Sequence, residues 1–209
     1  MKKIFFYAGV IAFAAALAAC DKKDDNNGTP EEVVSGVTWA ACNVDEFQQF
    51  AARPDMYTKF YQWNRSTAWS ATDESVTGWV ENIPDQAWTV NPCPEGWRLP
   101  TSDDFSELYR TGFTWAEANT RGNAVAGMFY GANHATATIS NLNGCVFLPA
   151  VGMRNHNGLL GMQGADGNYW SSTHYDNESS YSLFLRNSGS TGTSNLSPKV
   201  RGYSIRCVK

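Results

Sequence analysis

Basic residues are scarce: 16 Lys and Arg stand against 20 Asp and Glu, for a formal net charge of -4. A nucleic-acid binder carries a basic stripe to neutralise phosphates, so nucleic acid is set aside as a partner. Histidine is scarcer. His134, His156 and His174 are the only three, and they fall in separate stretches without ligand or base spacing. The cysteines lie too far apart for a zinc ribbon or a C-x-x-C redox pair, so no metal and no cofactor is expected. Phosphate-cradling glycine loops, nucleophile elbows and internal repeats are all missing. The apolar run at residues 4–17 is shorter than the roughly 20 residues a transmembrane helix needs.

That run has another reading. Lys2 and Lys3 precede it, and L-A-A-C follows at residues 17–20, which together read as a lipoprotein signal peptide over residues 1–19 with Cys20 as the lipidated residue. The mature chain is then anchored to a membrane through its N-terminal lipid and does not span it. Residues 20–36 are expected to be a disordered tether, because the polar run after Cys20 has no apolar face to bury. Within it, K-D-D resembles the export signal that sends lipoproteins to the outside of certain Gram-negative outer membranes, so an exposed outer-membrane location is expected. Residues 37–209 form one domain, and 43% hydrophobic against 17% charged residues gives it enough apolar surface for a core.

The most structured stretch is N-P-C-P-E-G-W-R-L-P-T-S-D-D-F-S-E-L-Y-R at residues 91–110. Pro92 and Pro94 stiffen the approach, Gly96 permits a turn, and Trp97-Arg98-Leu99 is short enough for a buried strand. Thr101 or Ser102 caps a helix with Asp103 and Asp104 in its first turn, Phe105, Leu108 and Tyr109 at helical spacing, and Gly112 as its stop. Strands are expected at 37–44, 56–63, 146–148, 181–185 and 203–208, with Tyr169-Trp170 starting another. Residues 46–52 suit one or two helical turns, and 124–130 with 135–139 suit short strands. Between Asn64 and Val90, Trp69, Trp79 and Trp88 have no clean period, and are expected to pin a long ordered loop to the body.

The run G-W-R-L-P-T-S-D-D-F-S-E-L resembles the signature of the FISUMP family, the major paralogous domain, which is similar to the sulfatase-modifying-factor branch of the C-type lectin fold. V-T-W-A-A-C-N-V at 37–44, V-F-L-P-A-V-G at 146–152, Y-W-S-S at 169–172 and G-Y-S-I-R-C-V at 202–208 fit in the same order. The resemblance implies an α+β, C-type-lectin-like fold of short twisted antiparallel strands, one or two helices and long ordered loops. It also implies that the terminal strand lies beside the first. With Cys20 committed to lipid, Cys42, Cys93, Cys145 and Cys207 allow two disulfides in any of three connectivities. The resemblance favours Cys93 with Cys207, and Cys42 with Cys145 then follows; Cys42 with Cys93, or a free buried Cys145, stay open.

Residues 172–180 and 187–195 contain almost no aliphatic side chain and are expected to be surface loops. Their Ser, Tyr, Asn, Asp and His content suits an adaptable recognition surface as well as plain solvated turns. Tyr169, Trp170, His174, Tyr175, Asp176 and Asn177 are therefore the candidate ligand-binding residues, expected to border one exposed face above a core holding Trp97 and Leu99. Catalysis fares poorly: Asp166 and Glu178 are the one imaginable acid pair, and D-N-E at 176–178 is a weak calcium candidate. The sequence thus points to a non-enzymatic binding or adhesion module for a glycan or protein ligand. An enzyme or carbohydrate-active accessory protein of the sulfatase-modifying-factor type is one alternative, and a structural surface protein is another. The arrangement also resembles the variable proteins of diversity-generating retroelements, for which a reverse transcriptase gene and a near-copy of the segment from Tyr169 onward would be the sign.

Overall fold

The computed structural model of the protein describes residues 31–188 and 191–209. The expected signal peptide, the lipidation residue Cys20 and most of the tether lie outside the described residues. The described chain runs β1 (Glu31–Val34), β2 (Val37–Asn43), β3 (Tyr61–Gln62), α1 (Ser102–Arg110), β4 (Phe113–Ala116), β5 (Gly127–Tyr130) and β6 (Val146–Pro149). It continues through β7 (Met153–Arg154), β8 (Leu160–Gly161), β9 (Asp166–His174), β10 (Ser179–Arg186), β11 (Thr191–Pro198), β12 (Gly202–Tyr203) and β13 (Arg206–Val208). The strands pair antiparallel in four small sheets, ordered β1-β2-β13, β11-β10-β9, β3-β12-β7-β8 and β4-β5-β6. The fold is therefore mostly antiparallel β with one short helix.

The folded body begins earlier than the sequence suggested. Val34 pairs with Val37 across Ser35 and Gly36, whose φ values of 51° and 77° make the two-residue turn whose twist matches a hairpin. Residues 31–36 are thus β1 and its turn, not part of the disordered run expected over 20–36. The terminal strand does lie beside the first long one, with Arg206 opposite Asn43 and Val208 opposite Trp39.

Period-2 alternation divides the interior into two cores. Met128, Tyr130, Val146, Leu148, Tyr169 and Val208 face Trp39, Phe105 and Leu108 on the helix side. Phe129, Phe147, Trp170 and Cys207 face the other way, toward Trp63, Trp97 and Tyr203. Because both faces are covered, β5, β6 and the first half of β9 read as unbroken buried runs. Between the cores, Arg206 is fully buried and solvated by the protein itself. Its guanidinium donates to the carbonyls of Ala40, Ala41 and Phe147 at 2.5–2.9 Å and to Asn43 Oδ1 at 2.8 Å. Burial lowers its pKa to about 10, so it stays charged at neutral pH while tying β13 to β2 and β6.

The 91–110 stretch forms as its residues dictate. Thr101 caps α1 in a reciprocal box with Asp104, and Asp104 also pairs with Arg98 at 2.7 Å. Phe105 and Leu108 are buried, Tyr109 is exposed, and Trp97 and Leu99 are buried beneath. Arg98 bridges Val208 as a single pair rather than a strand. Other short expectations give way to turns. Gln48, at φ 61°, interrupts 46–52, where a Val44–Phe50 bridge closes a loop; 56–63 shrinks to β3 with Phe60 bridged to Trp69; 135–139 forms turns.

From Trp63 to Thr101 the chain makes a long excursion with no strand of its own. Its backbone is held by side chains. Trp63 stands edge-on to Trp88 at 4.6 Å and to Trp170 at 5.5 Å. Trp79 donates to the His156 carbonyl at 2.9 Å and lies so close over Gly158 and Gly202 that a Cβ at either would meet its ring at 3.0 and 2.9 Å. Arg154, fully buried, donates to the carbonyls of Ser70, Asp73 and Gly158. Among the described residues no helix is long and apolar enough to cross a membrane, which says nothing of strands that cross as a barrel.

Candidate functional site

Of the six candidate binding residues, two belong to the core. Tyr169 and Trp170 are fully buried, because β9 is covered by β10 on one edge and by the 203–205 chain, through a Tyr169–Ser204 bridge, on the other. The Tyr169 hydroxyl donates to the Pro149 carbonyl at 2.7 Å, and the Trp170 indole to the Tyr61 carbonyl at 2.8 Å. Tyr169 and Trp170 do not border the exposed face. The Ser/Thr-rich segments are not both loops either. Residues 191–195 belong to β11, and 172–180 reduces to the turn 175–178 between β9 and β10. Hydroxyls replace aliphatic packing there: Ser182 to Ser197 at 2.8 Å, Tyr130 to Thr191 at 2.9 Å, Ser106 to Thr193 at 3.2 Å.

The other four candidates come together at that turn. Tyr175 is half exposed, its ring edge-on to Tyr181 at 5.5 Å, and Asp176 and Asn177 are exposed. Asp176 does not gather ligands for calcium. Its Oδ1 accepts from the backbone N–H of Glu178 at 2.9 Å and Ser179 at 2.8 Å, closing the turn. His174 lies beneath, half-buried, with Nε2 2.7 Å from Asp85 Oδ1 and 3.0 Å from Lys199 Nζ. A ring nitrogen has either a proton or a lone pair, so Nε2 serves one partner at a time, and the shorter contact is to Asp85.

Lys199 is the residue that composition and spacing did not reveal. Its side chain is 1% exposed, and Nζ donates to Asp85 Oδ1 at 3.0 Å and to the Asp176 carbonyl at 2.5 Å. Its backbone N–H holds the Glu178 carbonyl at 2.8 Å, and Nζ lies 5.8 Å from the centre of the Trp63 ring. Hydrogen bonds from Lys199 and then His174 hold the Asp85 carboxyl below its ordinary range. One buried ammonium thus joins the excursion, through Asp85, to the base of the exposed turn. Beside it opens a groove of about 320 Å³ with Glu81, Asn82 and Ile83 on one wall, Asn177 and Glu178 on the other, and Lys199 and Val200 between.

The other titratable candidates lie apart from this cluster. His134 Nδ1 is tied to Thr114 Oγ1 at 2.6 Å, His156 is exposed on another loop, and Asp166 forms a two-point pair with Arg186 at 2.7 Å. Asp166 opens β9, and Glu178 lies in the turn beyond that strand's far end. Among the described residues no group of three or more His, Cys, Asp or Glu is placed to hold a metal.

Cys93 and Cys207 are joined, with Cα atoms 6.0 Å apart, tying the 91–110 stretch to the terminal strand. This excludes Cys42 with Cys93. Cys145 is a free, buried thiol, so the expected Cys42–Cys145 bridge is not formed; Cys145 packs against the Gly131 backbone, and burial pushes its pKa up.

No curated protein and no solved structure matches the chain. The family model of the Fibrobacter succinogenes major domain matches residues 19–209, and the chain belongs to that family.

Proposed function

We propose that this protein is a non-enzymatic ligand-binding or adhesion module, carried on the outer face of an outer membrane by lipid on Cys20. In this reading its organisation is C-type-lectin-like: paired terminal strands, one helix and a long side-chain-pinned excursion beside the recognition face. That face comprises Tyr175, Asp176 and Asn177 of the 175–178 turn and the adjoining groove, with His174 as a support below it. The sequence features at residues 1–20 carry the anchoring part, and the turn carries the binding part.

The observation that carries the reading is the Lys199 clamp. An exposed aromatic and amide turn is held at its base by a buried ammonium, so its shape is set before any ligand arrives, and less ordering entropy is lost on binding. Glu81, Asn82, Asn177 and Glu178 offer hydrogen bonds along the groove, and Ile83 and Val200 offer apolar contact. The test is a glycan and host-protein array probed with the wild-type chain and with Asn177→Ala and Glu178→Gln. Hits that weaken in both variants, with melting temperatures unchanged, support the reading. Hits indifferent to both would remove the groove from it. For the anchor, Cys20→Ala should leave an unlipidated precursor, and normal maturation of that variant would contradict it.

A further inference from the structure

A second concavity, of about 370 Å³, lies where the excursion meets the 91–110 stretch and β9, and shares no lining residue with the groove beside the turn. Trp88 and Thr89 of the excursion line it together with Arg98, Thr101 and, from β9, Ser172. Its size falls at the lower end of the roughly 300–1,000 Å³ typical of small-molecule sites. We infer that this pocket is a binding site for one ring of a neutral saccharide, set by the juxtaposition of the Trp88 indole with Thr89, Thr101, Ser172 and Arg98.

Three features select that chemistry. First, Trp88 is a fixed apolar plate. Its ring is locked edge-on against Trp63 and its N–H is spent on the Val90 carbonyl, so it offers a ligand only carbon and π surface. The C–H-bearing face of a pyranose suits such a surface, since its weakly positive hydrogens meet the negative face of the ring. Second, the hydroxyls around it are already oriented. Thr89 donates to Asn64 Oδ1, Thr101 to Asp104 Oδ2 and Ser172 to the Pro100 carbonyl. Each proton points into the protein; Thr89 also accepts from Asn64 Nδ2 and Thr101 from the Asp104 N–H, which leaves one acceptor lone pair on each of them and two on Ser172. Third, the one cation is already neutralised. Arg98 spends both Nη1 protons on Asp104 and the Leu99 carbonyl and one Nη2 proton on Asp104, which leaves Nε–H and the second Nη2–H as donors on a guanidinium already paired with a carboxylate. Four hydroxyl lone pairs, two N–H donors, an aromatic plate and no net charge describe a polyol with one apolar face.

Saturation-transfer NMR and titration calorimetry on the full chain would test this with cellobiose, lactose and N,N′-diacetylchitobiose as probes. At least one should bind in the millimolar range or better, with strongest transfer at its ring C–H protons. Trp88→Ala should weaken it on the order of tenfold. Since Trp88 also packs on Trp63, Ser172→Ala and Thr89→Val serve as the milder pair, each expected to weaken binding several-fold without loss of folding by circular dichroism. Tyr175→Ala should change nothing, which separates this pocket from the turn 175–178. The inference is overturned if none of the three sugars binds at millimolar concentration. It is equally overturned if binding survives both mild variants, if it is lost on Tyr175→Ala, or if inorganic phosphate competes for the site.

Discussion

The two sides of the central strands are stabilised in different ways. On the helix side, Trp39, Phe105, Met128, Tyr130, Leu148 and Leu185 bury one another, and hydrogen bonds run strand to strand. On the excursion side, residues 63–101 have no strand of their own, and several of their backbone groups are satisfied by side chains: Gln62, Asn64, Arg154 and the indoles of Trp63 and Trp88. The first side spreads its stability over many interchangeable apolar contacts. The second has an apolar core of its own, with Trp63, Trp97, Phe129, Phe147 and Trp170, but the placement of its excursion rests on a few polar side chains. Precision of loop placement is gained there at the expense of redundancy.

The largest effect should come from the helix side. Phe105→Ala removes a fully buried ring packed 5.6 Å from Trp39 and is expected to cost about 3–5 kcal/mol, lowering the melting temperature of the whole domain. Next is the bridge between the excursion side and the terminal strand. Reduction of Cys93–Cys207 should cost roughly 2–4 kcal/mol. Alkylation should label both cysteines only after reduction, and Cys145 only after unfolding; labelling of Cys93 in the native, unreduced chain would contradict the bridge. Arg154→Ala should cost about 2–3 kcal/mol by stranding the Ser70, Asp73 and Gly158 carbonyls. Its signature is local: limited proteolysis should open residues 64–80 while the helix side stays protected. Simultaneous loss of both sides would show that the two are one cooperative unit.

A smaller, pH-dependent effect belongs to Asp85. Its pKa is depressed in the folded chain, so its contribution is fully present above the ordinary carboxylate range near about 3.9 and is lost as pH falls through the lower folded value. Amide exchange of residues 81–86 and 174–178 should rise together in that acid window. Asp85→Asn should expose the same amides at neutral pH and remove their acid dependence. Smallest of all, Tyr175→Ala is expected to stay within about 0.5 kcal/mol while weakening any ligand held at the turn.

The same division explains what could be read from the sequence. Thr101, Asp104, Phe105 and Leu108 announce α1 by local chemistry, and G-Y-S-I-R-C-V announces a terminal strand by composition. V-F-L-P at 146–149 is apolar at every position because both of its faces are covered. Tyr169 and Trp170 mislead for the same reason. Aromatics beside a polar run look like contact surface, and what buries them is remote in sequence: Trp63 and Tyr203 pack on Trp170, while Asn43 and Pro149 hold the Tyr169 hydroxyl. β11 was hidden because Thr, Gly, Ser and Asn show no apolar alternation, and its pairing rests on β10 and on hydroxyl hydrogen bonds. His174, Tyr175, Asp176 and Asn177 were legible as a group since they are adjacent. Lys199 and Asp85 were not, being joined across 114 residues by an ion pair that no local pattern signals.

The measurement that bears most directly on the clamped-turn reading is hydrogen–deuterium exchange of the full chain, with and without the strongest ligand from the array. Protection confined to residues 81–83 and 174–178, lost in Tyr175→Ala and Asn177→Ala, is the predicted result. Protection that leaves both segments unchanged and appears instead around Trp69 and Trp79 would contradict the account, because the tryptophans that pin the excursion to the body would then form the binding surface.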